Sequence, residues 1–372
     1  MIFDSFLKKL MMFKIPLLLF VLLCHKLYAQ IHYDTLLTET ARFIAGIDCE
    51  TDEFKFLQQK AWYKEHAEFT HKTWKYINDS TLLPINLWAG ERNIIEKTDT
   101  LTCFYPFSGP DFLFSHVFYP YAKSYILLGL ERLGSLPQIT KLNQNQLENY
   151  LLSIRSSLRY LVKAGYFVTS HMSRDFSKAQ LNGNIHLLMY FIVRSGYFIK
   201  TVKYGNIDKN GIFKLPKNTG TIEGLHILFV DSLNRNKDLY YFSLDVADYK
   251  LSNKPEFEKF IKSFATYNTY IKSASYIPAH KNFETIRKLI LNHSNKIIQD
   301  DTGIPYKLFE SHHFALQIWG TYTKTINDLS WGFQPDLKKA VEASENNKPL
   351  PFRISYNGNY GEGVMMYGKK KQ

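Results

Sequence analysis

The sequence predicts an α+β fold: a largely helical N-terminal half followed by a small antiparallel sheet in the C-terminal half. Three observations predict it. Apolar residues recur at helical spacing through residues 35–80 and again from Leu147 to Leu161. Two runs rich in β-branched and aromatic residues, Leu225–Val230 and Leu239–Val246, flank the polar turn Asn234-Arg235-Asn236-Lys237. A composition of 45% hydrophobic and 16% aromatic residues supplies ample material for a core.

Residues 1–29 read as a signal peptide. Lys8, Lys9 and Lys14 provide positive charge, Ile15–Cys24 is a short apolar run, and Leu27-Tyr28-Ala29 ends on a small residue before Gln30. The run falls short of the ~20 apolar residues of an ordinary membrane span. Cys24 raises lipid attachment as the alternative. An exported chain would reach an oxidising compartment, where Cys49 and Cys103 can form one disulfide or stay as two buried thiols. The formal charge is +12, and five of the charged residues (Asp4, Lys8, Lys9, Lys14, Lys26) lie within the leader. The remaining excess is spread along the chain. It favours peripheral contact with anionic envelope surfaces over a nucleic-acid groove.

The mature chain reads as one compact α+β domain over 30–356 with a Gly/Lys-rich tail over 357–372. Its first helices group Leu36, Leu37, Phe43, Ile44 and Ile47, then Phe54, Leu57, Ala61, Trp62, Phe69 and Trp74, with a break near Gly46 and Asp48. His66 and His71 stand five apart and fall on different helical faces, which argues against a metal pair there. The stretch Phe104–Phe114 then packs aromatic rings, two prolines and a glycine around one acid. Ser108-Gly109-Pro110-Asp111 reads as a tight turn, with Asp111 as the N-cap of a following helix or, second, as an acid or base in a cleft. Its rings and Tyr119 make Tyr105, Phe107, Ser108, Asp111 and Tyr119 the candidate binding residues.

Further on, Gly129–Pro137 is a turn and Leu147–Leu161 a helix ended by Gly165. His171 and Asp175 share an i,i+4 spacing that carries little. Ile185–Ile199 reads as a buried helix followed by a strand, and Phe257–Tyr276 as one helix. Asn282 is expected to cap the helix from Phe283. Gln299–Tyr306 is a second polar knot, in which Asp300 and Asp301 read first as turn acids and second as cleft acids. Residues from Pro349 onward end in an edge strand.

Taken together, several segments resemble a family of exported bacterial proteins of Bacteroidota type that has no assigned activity. They are Ala61-Trp62, Phe104–Leu113, Gly129-Leu130-Glu131, Tyr241–Asp245, Gln299–Pro305 and Pro349–Phe352. The family favours proline after Gly-Leu-Glu, where this chain has Arg132. The resemblance implies export and carries no catalytic residue, cofactor or partner.

Glycine-rich nucleotide loops, a nucleophile elbow, HExxH and paired CxxC are all absent from the sequence. No cofactor or metal is therefore expected. Two functions remain. The first is an envelope binding or structural protein whose partner is another envelope protein or a glycan. The second is an exported hydrolase drawing its carboxylates from the polar turns, with Asp111, Asp245, Asp300 and Asp301 as candidates.

Overall fold

A computed structural model describes residues 33–164, 181–215, 222–273, 275–325, 329–354 and 362–371. The expectations placed on residues 1–29, on Cys24 and on His171 and Asp175 lie outside the described residues.

The first helices follow the apolar spacing closely. They are α1 (Thr35–Ile44), α2 (Asp52–Gln58), α3 (Ala61–Ile77) and α4 (Leu83–Glu91). Asp34 caps α1 through Leu37 N–H at 2.8 Å. Helix α5 (Phe112–Phe118) is capped by Asp111, and α6 (Gln144–Ala164) buries Leu147, Leu151, Ile154, Leu158 and Leu161 on one face. Helix α7 (Ile185–Arg194) is apolar all round because it is enclosed on every side. The shorter helices are α8 (Asp248–Leu251), α9 (Pro255–Lys262), α10 (Glu284–His293), α11 (Lys307–Glu310) and α12 (Pro335–Glu342).

The strands overturn the expected fold class. They are β1 (Cys103–Tyr105), β2 (Ser124–Gly129), β3 (Phe198–Ile207), β4 (Phe213–Lys214) and β5 (Ile222–Val230). After them come β6 (Asn236–Ser243), β7 (Tyr267–Ile271), β8 (Ser294–Gln299), β9 (Phe314–Thr321) and β10 (Gly363–Lys370). All belong to a single ten-stranded mixed sheet in the order β4-β3-β5-β6-β2-β1-β7-β8-β10-β9. The sheet is therefore neither small, nor purely antiparallel, nor confined to the C-terminal half. Its middle, β6-β2-β1-β7-β8, is parallel throughout. Antiparallel ladders flank it on both sides.

Helices cover both faces of that parallel block. Cys103, Tyr105, Tyr125 and Leu127 face a core shared with α1, α3, α5, α6 and α7. Phe104, Ile126 and Leu128 face the other core, with α9 and α10. Burial on both sides explains why β1 and β2 hid in the sequence: they are short apolar runs without alternation.

Three local readings change with the fold. Phe257–Tyr276 is not one helix. Helix α9 stops at Lys262, Ala265 takes a positive φ of 57°, and the alternating Tyr267–Ile271 becomes β7. Asn282 does not cap α10; Asp248, at the start of α8, does so, accepting Glu284 N–H at 3.1 Å and Thr285 N–H at 2.9 Å. The C-terminal strand β10 is no edge, because it pairs with both β8 and β9.

Cys49 and Cys103 are both buried free thiols. Cys49 sits in the turn after α1 against the Glu39 carbonyl at 3.5 Å, whereas Cys103 lies within the sheet on β1. Burial raises the Cys49 thiol to about 12 and the Cys103 thiol well above its ordinary value. Among the described residues no helix is long and apolar enough to cross a membrane.

Candidate functional site at the carboxyl edge of the parallel strands

The polar turns that stood out in the sequence follow the carboxyl ends of neighbouring parallel strands. Strand β1 leads into Pro106–Asp111, β2 into Leu130 and Glu131, and β6 into Leu244 and Asp245. Strand β7 leads into Lys272 and Ser273, and β8 into Asp300–Thr302. The crossover from β1 to β2 places α5 on one face, and the crossover from β7 to β8 places α10 on the other. The β1/β7 boundary is thus a topological switch point, where diverging loops open a crevice above the sheet.

Two polar clusters occupy this edge. In the first, Asp111 does the capping work expected of it and more. Its Oδ1 accepts Phe114 N–H at 3.2 Å, and its Oδ2 lies 3.3 Å from the Tyr105 hydroxyl. That hydroxyl also lies 3.2 Å from the Lys272 carbonyl, which ties the end of β1 to the end of β7. The Lys272 ammonium is buried, 4.3 Å from the centre of the Phe114 ring. Burial lowers its pKa, while the charges of Asp300 and Asp111 hold it up.

Asp300 is fully buried after β8. Its Oδ1 accepts the Thr302 backbone N–H at 2.9 Å and the Thr302 hydroxyl. The same hydroxyl accepts Ser273 N–H at 2.8 Å, joining β7 to β8. Asp300 Oδ2 finds no hydrogen-bond partner among the described residues, and neither does the buried Ser273 Oγ. An unsatisfied buried carboxylate oxygen is costly, so the group moves toward its neutral form. Burial, with help from the Asp301 charge and against Lys272, pushes Asp300 up to about 7. Burial likewise raises Asp111 to about 6 against Lys272, and Asp301 to about 6 against the Tyr276 hydroxyl, which donates to it at 2.6 Å.

The second cluster lies toward β2 and β6. Asn184 Nδ2 donates to the Tyr241 hydroxyl at 2.7 Å and stands 3.5 Å from Glu131 Oε2. Tyr241 in turn donates to the Glu131 carbonyl at 3.0 Å. Gly129 is required beneath it: an added Cβ would lie 2.5 Å from Glu131 Oε2 and 2.6 Å from the Tyr241 hydroxyl.

Between and above these clusters is a cleft of about 150 Å³. Phe107 and Phe283, with ring centroids 6.4 Å apart, form part of its wall. Ser108, Glu131, Asp245 and Ser273 supply its polar lining. Apolar walls with a few placed polar groups are the usual make-up of a ligand site.

The candidates from sequence scatter across this geometry. Phe107, Ser108 and Asp245 line the cleft. Asp245 also accepts Ala247 N–H at 3.0 Å. Tyr105 and Asp111 lie buried beneath, and Asp300 and Asp301 are buried beside Lys272 and Tyr276. Tyr119 is away from the edge, buried with its hydroxyl on the Thr269 carbonyl at 3.2 Å. Lys272, Ser273 and Tyr276 were missed because their strand was read as helix. The signal that finds them is the Tyr-Asn-Thr-Tyr-Ile run just before them.

Among the described residues no three His, Cys, Asp or Glu side chains gather as a metal site. Comparison of the chain with protein-family models, curated proteins and solved structures finds no match.

Proposed function

We propose that the protein is an exported cell-envelope binding protein whose carboxyl-edge cleft holds a hydroxyl-rich ligand, a glycan segment. Export rests on the leader-like residues 1–29 and on the family resemblance. The observation that carries the site is the convergence of Glu131, Asp245 and Ser273 on one cleft at the switch point, beside Ser108, whose hydroxyl is bonded to the Leu128 backbone at 3.0 Å. Carboxylates and hydroxyls pair with sugar hydroxyls, and the Phe107 and Phe283 rings offer apolar faces for sugar C–H groups.

Titration calorimetry of the purified protein with a panel of envelope oligosaccharides tests the reading. At least one should bind, and Asp245→Asn should weaken it about tenfold with an unchanged melting temperature, the loss of one charge-assisted hydrogen bond. A panel without binders, or full affinity in the variant, would overturn it.

One observation favours the hydrolase as second reading. Asp300 has an unpartnered oxygen and a pKa near 7, a suitable value for a general acid or base at neutral pH. Turnover of chromogenic glycosides or esters, lost in Asp300→Asn, is the outcome that would favour it.

A further inference from the structure

At the opposite, amino edge of the same strands lies a larger pocket of about 660 Å³, formed where β2 and β6 begin. Four cationic residues line it: Lys97, Lys123, Arg235 and Lys237. Among the described residues no carboxylate lines it. Lys97 and Lys123 are exposed and make no ion pair among the described residues. Arg235 spends its Nε on Asp231 at 2.6 Å, which leaves its terminal N–H groups.

Lys237 is the informative member. It is a buried cation, 8% exposed, held by two backbone carbonyls, Pro120 at 2.9 Å and Ala122 at 2.5 Å. An ammonium has three donors, so one remains. Burial and the Arg235 charge bring its pKa down to about 8, with Asp231 opposing them. Among the described residues no carboxylate is in ion-pair contact with this desolvated ammonium, so the open basic pocket beside it suits an anion from outside the chain. The flanking Tyr121 and Tyr197 add two phenol rings, and Tyr197 is oriented by a 2.9 Å hydrogen bond to His116 Nε2.

We propose that this amino-edge pocket binds a phosphate-bearing anion through Lys97, Lys123, Arg235 and Lys237. Cations from separate segments of chain match a group with several acceptor oxygens and up to two charges better than a single carboxylate. The phosphate can belong to a soluble molecule or to a lipid headgroup. The inference is independent of the glycan reading, since the two sites lie at opposite ends of the strands.

The test uses inorganic pyrophosphate as probe, by titration calorimetry with the full mature chain at low and at physiological ionic strength. Binding is expected, weakening as salt rises. The surface double variant Lys97→Gln/Lys123→Gln should lower affinity about tenfold or more while melting as wild type does, because both side chains are exposed. Absence of binding at low salt, or unchanged affinity in the double variant, overturns the proposal. Flotation with vesicles of neutral lipid, with and without anionic phospholipid, separates the two sources. Attachment to anionic vesicles that pyrophosphate displaces assigns the site to headgroups. Pyrophosphate binding without vesicle attachment assigns it to a soluble phosphate.

Discussion

The two edges of the parallel block make opposite use of polar side chains. At the carboxyl edge, Asp111, Lys272, Asp300, Asp301 and Tyr276 are enclosed and bonded into the ends of β1, β7 and β8. At the amino edge, Lys97 and Lys123 stand in solvent around an open pocket, and only Lys237 is enclosed. The difference teaches which residues can be changed without consequence for folding. Where charges are buried, ligand chemistry and stability share the same atoms; where they are solvated, the two separate.

The largest expected effect is at Lys272. Lys272→Met leaves Asp111 and Asp300 buried without their cation, at a cost of about 3–5 kcal/mol near pH 8. The cost should shrink toward pH 5, below the raised values of both carboxyls, where they are protonated already. Urea denaturation at the two pH values measures it, and a loss equal at both would break the contrast between the edges. Gly129→Ala comes next. Its Cβ would stand 2.9 Å from the Gly109 Cα as well as against Glu131 and Tyr241, so about 1–3 kcal/mol of overpacking is expected in the same assay.

Asp300→Asn probes linkage. The wild-type carboxyl has a folded pKa of about 7 against an ordinary 3.8, so the folded state holds the extra proton. Its stabilisation is fully present below pH 4 and is lost as pH rises to about 7. Relative to the asparagine variant, the wild-type melting temperature should therefore fall between pH 4 and 7. The reference matters, because the buried His66, His116 and His186 act in the opposite sense on the whole protein. Burial lowers them to about 4, 3 and 3, so their contribution is lost as pH falls below about 6.5. A wild-type-minus-variant difference that does not change with pH would refute the assignment.

The amino edge supplies the smaller effects. Lys237→Met strips a donor from the Pro120 and Ala122 carbonyls and should cost about 1–2 kcal/mol. Lys123→Gln, at an exposed side chain, should stay within about 0.5 kcal/mol of wild type. If Lys123→Gln destabilised as much as Lys272→Met, the two edges would not differ in kind.

Much of the candidate site was legible before the fold was known. Ser108-Gly109-Pro110-Asp111 stood out because its residue types demand a turn, and Asp300-Asp301-Thr302 because paired acids before a glycine and proline do the same. Their meeting was not legible. Asp111 and Asp300 are far apart in sequence, and what joins them is the pairing of β1 with β7 and of β7 with β8. Strand β1 is three residues long and shows no period, and the short alternation of β7 was concealed in a helix-like aromatic stretch. The choice between one disulfide and two buried thiols was open for a related reason: spacing says nothing of depth, and the structure has Cys49 and Cys103 as buried free thiols.

By itself the sequence determined what neighbouring residues settle among themselves. The stripe of α6, the cap of α5 by Asp111, the hairpin of β5 and β6 and the turns at Ser108–Asp111 and Asp300–Thr302 all follow from local spacing and backbone preference. The tertiary structure alone decided the parallel order of β6, β2, β1, β7 and β8, and with it which turns share an edge. Parallel neighbours are joined by long crossovers and held by hydrogen bonds between distant backbones, and burial on both faces erases the alternation that would mark them.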